Sequence, residues 1–170
     1  MIKVIFEDNH LLVVEKPVNI LSQGDDTNDK DMVNLLKQYV KEKYNKPGNV
    51  YIGLVHRLDR PVGGAMVFAK TSKAASRLSE QVRNKTFKKT YRTVLNGSMK
   101  KDADTLKDFL YKNKKTNMVS VVNKDHKDAK NAELSYTTLG KKDKFSLVEV
   151  DLKTGRSHQI RVQFSSRRHP

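Results

Sequence analysis

Residues 53–64 read Gly-Leu-Val-His-Arg-Leu-Asp-Arg-Pro-Val-Gly-Gly, the most unusual stretch of this 170-residue chain. The apolar run over residues 50–58 predicts a buried strand that leads into Asp59. Arg57 and Arg60 flank this aspartate, and neighbouring cations favour the ionised form of a carboxyl group. An ionised aspartate can serve as a nucleophile or base without a metal. It can equally be a turn residue in a structural ion pair, and local chemistry leaves both readings open.

The elements around this stretch come in small groups of strands and helices. One helix carries an apolar stripe made of Met32, Leu35, Leu36, Tyr39 and Val40, and Asp29 or Asp31 can cap it. In chain order we predict strands at residues 2–6, 11–15, 50–58, 65–69, 88–95, 132–139 and 145–152, and helices from about 31 to 45 and from 73 to about 84. Because this order lacks strict β–α alternation, it favours an α+β fold with a mixed, largely antiparallel sheet flanked by helices.

Two segments give no clear signal. Residues 100–115 are charged and weakly patterned, and together with residues 124–130 they are expected to be the most mobile region. Residues 153–164 fit a helix capped by Ser157, but Ile160, Val162 and Phe164 alternate as they would in a strand. The sequence alone leaves this choice open.

The charge of the chain points to a polyanionic partner. It has 34 Lys+Arg against 19 Asp+Glu, a formal net charge of +15. A field of this sign concentrates nucleic acid around the protein, although a basic protein merely kept soluble by its charge is the plainer alternative. A membrane is the weaker partner, because no basic amphipathic helix with bulky apolar anchors is present. The chain has no cysteine, which excludes disulfides and thiolate catalysis.

Two further stretches could contact RNA. Residues 83–92 read Arg-Asn-Lys-Thr-Phe-Lys-Lys-Thr-Tyr-Arg and contain no acid. Cations there can contact phosphates while Tyr91 stacks on a base, or the stretch is a charged edge strand. The other stretch is residues 153–164. There, Arg156 or Arg161 could reach a carboxylate or phosphate with two hydrogen bonds, or both belong to a surface arginine cluster.

Taken together, these stretches resemble the RluA-type branch of the pseudouridine synthases. The run from Asp8 to Pro17 also resembles the first strands of that family. The resemblance is carried by His56-Arg57-Leu58-Asp59 with Gly63-Gly64, by Lys89-Thr90-Tyr91, and by Thr154-Gly155-Arg156-Ser157-His158-Gln159-Ile160-Arg161. It implies an RNA-modifying isomerase that detaches the base of a uridine, rotates it and rejoins it through carbon, with no cofactor and no metal.

The resemblance also implies roles for single residues. Asp59 would be the essential catalytic group, and Arg161 would pair with it and hold it ionised. Tyr91 would pack on the target base, and Arg57 would fill the space that the base vacates. Further RNA contacts are expected from His56, Arg60, Lys88, Lys89, Arg156 and His158.

The chain departs from the family pattern in two places. It has Val62-Gly63-Gly64 where the family usually has Thr-Ser-Gly or a close variant. Family members also continue past Pro170, so we expect residues 1–170 to be a catalytic domain whose C-terminal part is missing. We expect a cytoplasmic monomer acting on ribosomal or transfer RNA, with no membrane contact. The rival hypotheses are a non-catalytic RNA-binding module and, more remotely, a metal-dependent nuclease.

Overall fold

The computed structural model describes residues 2–170. The chain divides into two compact units, Met1–Phe87 and Lys88–Pro170. Each unit holds one sheet, and all neighbouring strands of the described residues pair in antiparallel fashion. The predicted α+β class is therefore confirmed. Within residues 2–170, no helix is long and apolar enough to cross a bilayer.

The first unit places two helices beside a sheet of four strands in the order β1-β2-β4-β3. The buried side chains of Leu12, Val14, Met66 and Phe68 come from its two central strands. Its elements are β1 (Lys3–Glu7), β2 (Leu11–Lys16), α1 (Met32–Lys43), β3 (Gly53–Leu54), β4 (Gly64–Ala69) and α2 (Ser72–Arg83).

Local chemistry accounts for most of these boundaries. The carboxylate of Asp8 accepts the backbone N–H groups of His10 and Leu11, which closes the turn between β1 and β2. Asp31 caps α1 by accepting the N–H of Asn34. These observations agree with the strands predicted at residues 2–6 and 11–15 and confirm the predicted α1 start.

A buried carboxylate ties three elements of the first unit together. Glu7 on β1 lies 2.7 Å from both Lys43 of α1 and Lys70 after β4, and it accepts hydrogen bonds from Tyr39 and Tyr44. Burial alone raises the pKa of Glu7, but the hydrogen bonds from the two lysines and two tyrosines outweigh it and lower the pKa to about 2. The carboxylate therefore stays ionised and holds the outer strand against the helix.

The second unit contains a five-stranded sheet in the order β5-β9-β8-β6-β7 and one short helix. Phe164 of that helix packs with Leu134, Val148 and Val150 of the sheet in one hydrophobic core. Its elements are β5 (Thr90–Asn96), β6 (Ala103–Lys112), β7 (Val119–Val122), β8 (Lys130–Lys142), β9 (Phe145–Leu152) and α3 (Gln159–Ser165).

The strand predicted over residues 50–58 is mostly wrong. Only Gly53 and Leu54 pair with β4. Further along, the N–H of Val67 donates to the ring Nε2 of His56 at 3.1 Å. The side chain of His56, and not a strand, therefore accepts this main-chain N–H of β4. The segment after Leu54 leaves the sheet before it reaches Asp59.

The weak pattern of residues 100–115 conceals a regular strand, so the expected mobile stretch is wrong for β6. Leu106 and Leu110 point into the core as an inward-facing row requires, but Asp108 occupies the position between them. Its carboxylate is neutralised by two hydrogen bonds from the guanidinium of Arg167. A charged residue on the buried row broke the alternation that would have identified the strand.

Candidate functional site

The main chain at Leu58, next to Asp59, is held from inside the first unit. The buried hydroxyl of Ser22 donates to the carbonyl of Leu58 at 2.6 Å and accepts its N–H at 3.0 Å. The side chain of Leu58 is itself buried, whereas Arg57 and Asp59 on either side of it are exposed. Because Leu58 is anchored, its two neighbours are directed to the surface.

A buried ammonium group holds the other side of the Asp59 loop. Lys16, at the end of β2, is fully buried and donates to the carbonyls of Pro17 and Arg60 at 2.9 and 3.2 Å. Burial lowers the pKa of Lys16, and the negative charge of Asp59 acts in the opposite direction. The carboxylate of Asp59 thus serves as a countercharge for a cation inside the fold.

Two glycines complete the loop. The N–H of Val62 bonds to the carbonyl of Asp59 at 2.9 Å, which closes a tight turn. Gly64 has φ +142°, a conformation that L side chains rarely adopt. A Cβ on Gly63 would lie 3.3 Å from the carbonyl oxygen of Lys16, so this glycine allows the close approach of the two segments.

The remaining candidates of the first unit occupy the same loop. Arg60 is exposed and pairs with Asp29 at 2.7 Å. The ring of His56 is half-buried, with its centroid 5.4 Å from that of Phe87. Its Nε2 accepts the N–H of Val67, so the neutral ring carries its proton on Nδ1.

In the second unit, Gln159 organises the loop over residues 153–158. Its side-chain oxygen accepts the hydroxyl of Thr154 at 2.8 Å and the N–H of Arg156 at 3.0 Å. Its amide nitrogen donates to the carbonyl of Glu133 and to the side chain of Gln163. Both glutamines are buried, and the network fixes the start of α3 on strand β8.

The structure decides the open choice for residues 153–164 in favour of a helix. α3 begins after His158, which has φ 51° and makes no side-chain capping bond, so the predicted Ser157 cap is wrong. The helical spacing buries Gln159 and Gln163 one turn apart and leaves Arg161 exposed. His158 and Arg161 lie one turn apart, as the helical alternative requires.

Tyr91 and Lys89 lie at the start of β5. Tyr91 is half-buried and packs against the core of the second unit. Burial lowers the pKa of Lys89, and Asp151 acts in the opposite direction. A Cβ on Gly155 would lie 3.2 Å from the Lys89 ammonium nitrogen, so this cation lies against the loop that Gln159 organises. Lys88, by contrast, is exposed.

Each unit therefore brings its own candidates together. The first groups His56, Arg57, Asp59 and Arg60 on one loop. The second groups Lys89 with the loop before α3 that carries Arg156 and His158. Among the described residues, no three His, Cys, Asp or Glu side chains are grouped as metal ligands would be.

Sequence reasoning missed the residues that hold these loops. Ser22 lies in a polar loop where nothing distinguishes it from its neighbours. Lys16 precedes a proline at a strand end, which indicates a break but not a buried ammonium group. Gln163 falls in the stretch where Ile160, Val162 and Phe164 alternate, and a strand with that pattern would place Gln163 on the opposite, polar face.

Comparisons with known proteins identify relatives over nearly the whole chain. The profile of the RNA pseudouridylate synthase family matches residues 10–166. An uncharacterised RNA pseudouridine synthase of Bacillus subtilis is 32% identical over 98% of this chain and 54% of its own length. Ribosomal large subunit pseudouridine synthase D of Nitrosomonas europaea is 32% identical over 99% of this chain and 47% of its own. tRNA pseudouridine synthase C of Vibrio cholerae is 28% identical over 100% and 71%.

A solved structure shares the fold. The human protein named RNA pseudouridylate synthase domain containing 4 superimposes with a TM-score of 0.84 at 22% identity, over 99% of this chain and 66% of the human one. The chain spans about half the length of the Bacillus and Nitrosomonas relatives, 54% and 47%.

The Ser22 anchor makes a testable prediction. Ser22→Ala leaves the N–H and carbonyl of Leu58 without their buried partner, which should cost about 1 to 3 kcal/mol of unfolding free energy. Urea unfolding measures the loss. The matched control is Ser76→Ala on the exposed side of α2, which should change stability by less than about 0.5 kcal/mol. Equal stability of Ser22→Ala and the wild type would show that the hydroxyl does not hold the loop.

Proposed function

The chain belongs to the RNA pseudouridylate synthase family, and we propose that it isomerises uridine to pseudouridine in structured RNA with Asp59 as its catalytic carboxylate. Relatives named for the large ribosomal subunit and for tRNA support ribosomal or transfer RNA as the substrate class. The proposal places a monomer in the cytoplasm, the compartment of those RNAs. It needs no cofactor, because a carboxylate can act on a sugar directly.

The observation that carries this proposal is the exposed carboxylate of Asp59 on a loop held by buried polar groups. Arg57 and Arg60 flank it, and both are exposed. A carboxylate at an RNA-binding surface repels phosphates, so a module that only binds RNA gains nothing from it. A reaction that requires a fixed negative charge does gain, because positioning a reactive group in advance lowers the barrier.

The reaction needs the target nucleotide to leave its stack, which costs a few kcal/mol. In this proposal Arg57 fills the vacated space and Tyr91 packs on the extruded base. Asp59 attacks or deprotonates the sugar. The bond from the sugar to the ring nitrogen breaks and a bond to a ring carbon forms. That carbon loses its proton and the freed nitrogen gains one, so the reaction is an isomerisation.

Cations complete the proposed site. Arg161 pairs with Asp59 and offsets its charge, a role for which its exposed guanidinium on α3 is available. The remaining contacts with RNA are assigned to His56, Arg60, Lys88, Lys89, Arg156 and His158. His56 and Lys89 are half-buried, so in this proposal they contribute as much to the shape of their loops as to direct contact.

The first test is Asp59→Asn, which keeps the shape of the side chain and removes its charge. We expect RNA binding within about threefold of the wild type and no turnover, because the reaction requires the carboxylate. Nucleoside chromatography of ribosomal and transfer RNA from cells lacking the gene measures pseudouridine after incubation. If Asp59→Asn forms pseudouridine as fast as the wild type, the proposed function fails.

The second test addresses the proposed pair of Asp59 and Arg161. If they pair, Arg161→Ala removes one of two cations that offset the carboxylate, the other being Lys16, and destabilises the wild type, but has little effect in the Asp59→Asn background. Urea unfolding of both single variants and the double variant should give a coupling energy of about 0.2 to 1 kcal/mol, because both side chains are exposed. Arg77→Ala on the exposed surface of α2 is the matched control and should show no coupling. Additive effects of the Asp59 and Arg161 substitutions would contradict the pairing.

A further inference from the structure

Many cations of the second unit are neutralised by carboxylates of the same unit. Six of them lie in ion pairs and contribute little to the field around the protein, since opposite charges at this distance cancel. The pairs are Arg92 with Glu149, Lys101 with Asp104, Lys107 with Glu133, Lys141 with Asp102, Lys153 with Asp151 and Arg167 with Asp108.

A second group of lysines has no such partners. It consists of six exposed lysines in the β6–β7 hairpin and in the connection from β7 to β8, none of them in an ion pair within residues 2–170. Only Asp125 and Asp128 oppose them in this part of the sequence. We call this group the lysine surface: Lys112, Lys114, Lys115, Lys124, Lys127 and Lys130.

The strand register brings these lysines to one end of the sheet. Lys112 ends β6, and Lys130 begins β8 directly opposite Leu110. The ring of His126 lies 4.5 Å from that of Tyr111, so the connection between β7 and β8 lies beside the same end of β6. The hairpin tip and the connection therefore carry their positive charges at one place.

The lysine surface continues from the loop that carries the candidate residues. Nε of Arg156 donates to the carbonyl of Asn131 at 2.8 Å. Asn131 lies opposite Phe109, and Lys112 is three residues further along β6, a distance of roughly 10 Å at the usual rise of a strand. One basic surface thus runs from Arg156 to the tip of the hairpin.

We propose that the lysine surface binds the phosphate backbone of the substrate RNA beside the target nucleotide, as an extension of the contact made by Arg156. Lysine ammonium groups bind phosphates as point charges and release counterions, so this contact is independent of base sequence. It strengthens RNA binding and takes no part in the chemical step. The inference rests on the proposed function, which supplies RNA as the partner.

The test removes three charges from the hairpin with Lys112→Gln, Lys114→Gln and Lys115→Gln together. Fluorescence anisotropy with a labelled RNA stem-loop measures affinity over a range of KCl concentrations. The slope of log affinity against log salt should fall by about 2 to 3, because each lost phosphate contact removes about 0.7 to 0.9. For pseudouridine formation, KM should rise and kcat should stay unchanged. Arginine at the same three positions should restore the affinity, which controls for misfolding.

The matched control removes three exposed lysines of the first unit, Lys37, Lys41 and Lys46, by the same change to glutamine. Its slope should change by less than about 0.5. An equal fall of the salt slope in both variants, or an unchanged slope in the hairpin variant, would overturn the proposal. A hairpin variant that loses binding to phosphatidylserine vesicles but keeps its affinity for RNA would overturn it as well. Failure of the proposed function gives a different result. In that case the wild-type protein forms no pseudouridine, whatever the salt slope of RNA binding.

Discussion

The position of Asp59 depends on two buried polar groups that hold the main chain on either side of it. The hydroxyl of Ser22 satisfies both backbone groups of Leu58, and the ammonium of Lys16 binds the carbonyl of Arg60. Both groups are almost completely inaccessible to solvent. A buried polar group without a partner is costly, so moving the loop would expose or orphan these bonds. The fold thereby fixes a carboxylate that belongs to no regular element.

The second unit uses the same device. Gln159 and Gln163 are buried on α3 and donate to main-chain carbonyls of β8 and β6. Amide hydrogen bonds thus hold the short helix in addition to the burial of Phe164. In both units the irregular segments with the candidate residues depend on buried side chains that never reach a substrate. Such support is what holds a reactive group within the narrow range that catalysis requires.

The sequence predicted most of the elements because their signals are local. The cap of α1 and the strands β8 and β9 follow from neighbouring residues. Prediction from the sequence failed where a residue far along the chain decides whether a segment forms a strand. β6 was missed because its inward-facing Asp108 is neutralised by Arg167, 59 residues later. Within the candidate site, motif strings led to the proposal of Asp59, Tyr91 and Arg161, but Ser22 acts 36 residues away and gives no local signal.

The central claim is that Asp59 acts through a fixed position as well as through its charge. Single-turnover conversion of uridine by an Asp59→Glu variant tests it most directly, because the charge is kept and the carboxylate moves by about one C–C bond, roughly 1.5 Å. The account predicts a rate at least about 100-fold below that of the wild type, with RNA binding retained. A rate within a few-fold of the wild type would contradict it, since a flexible loop would then serve equally well.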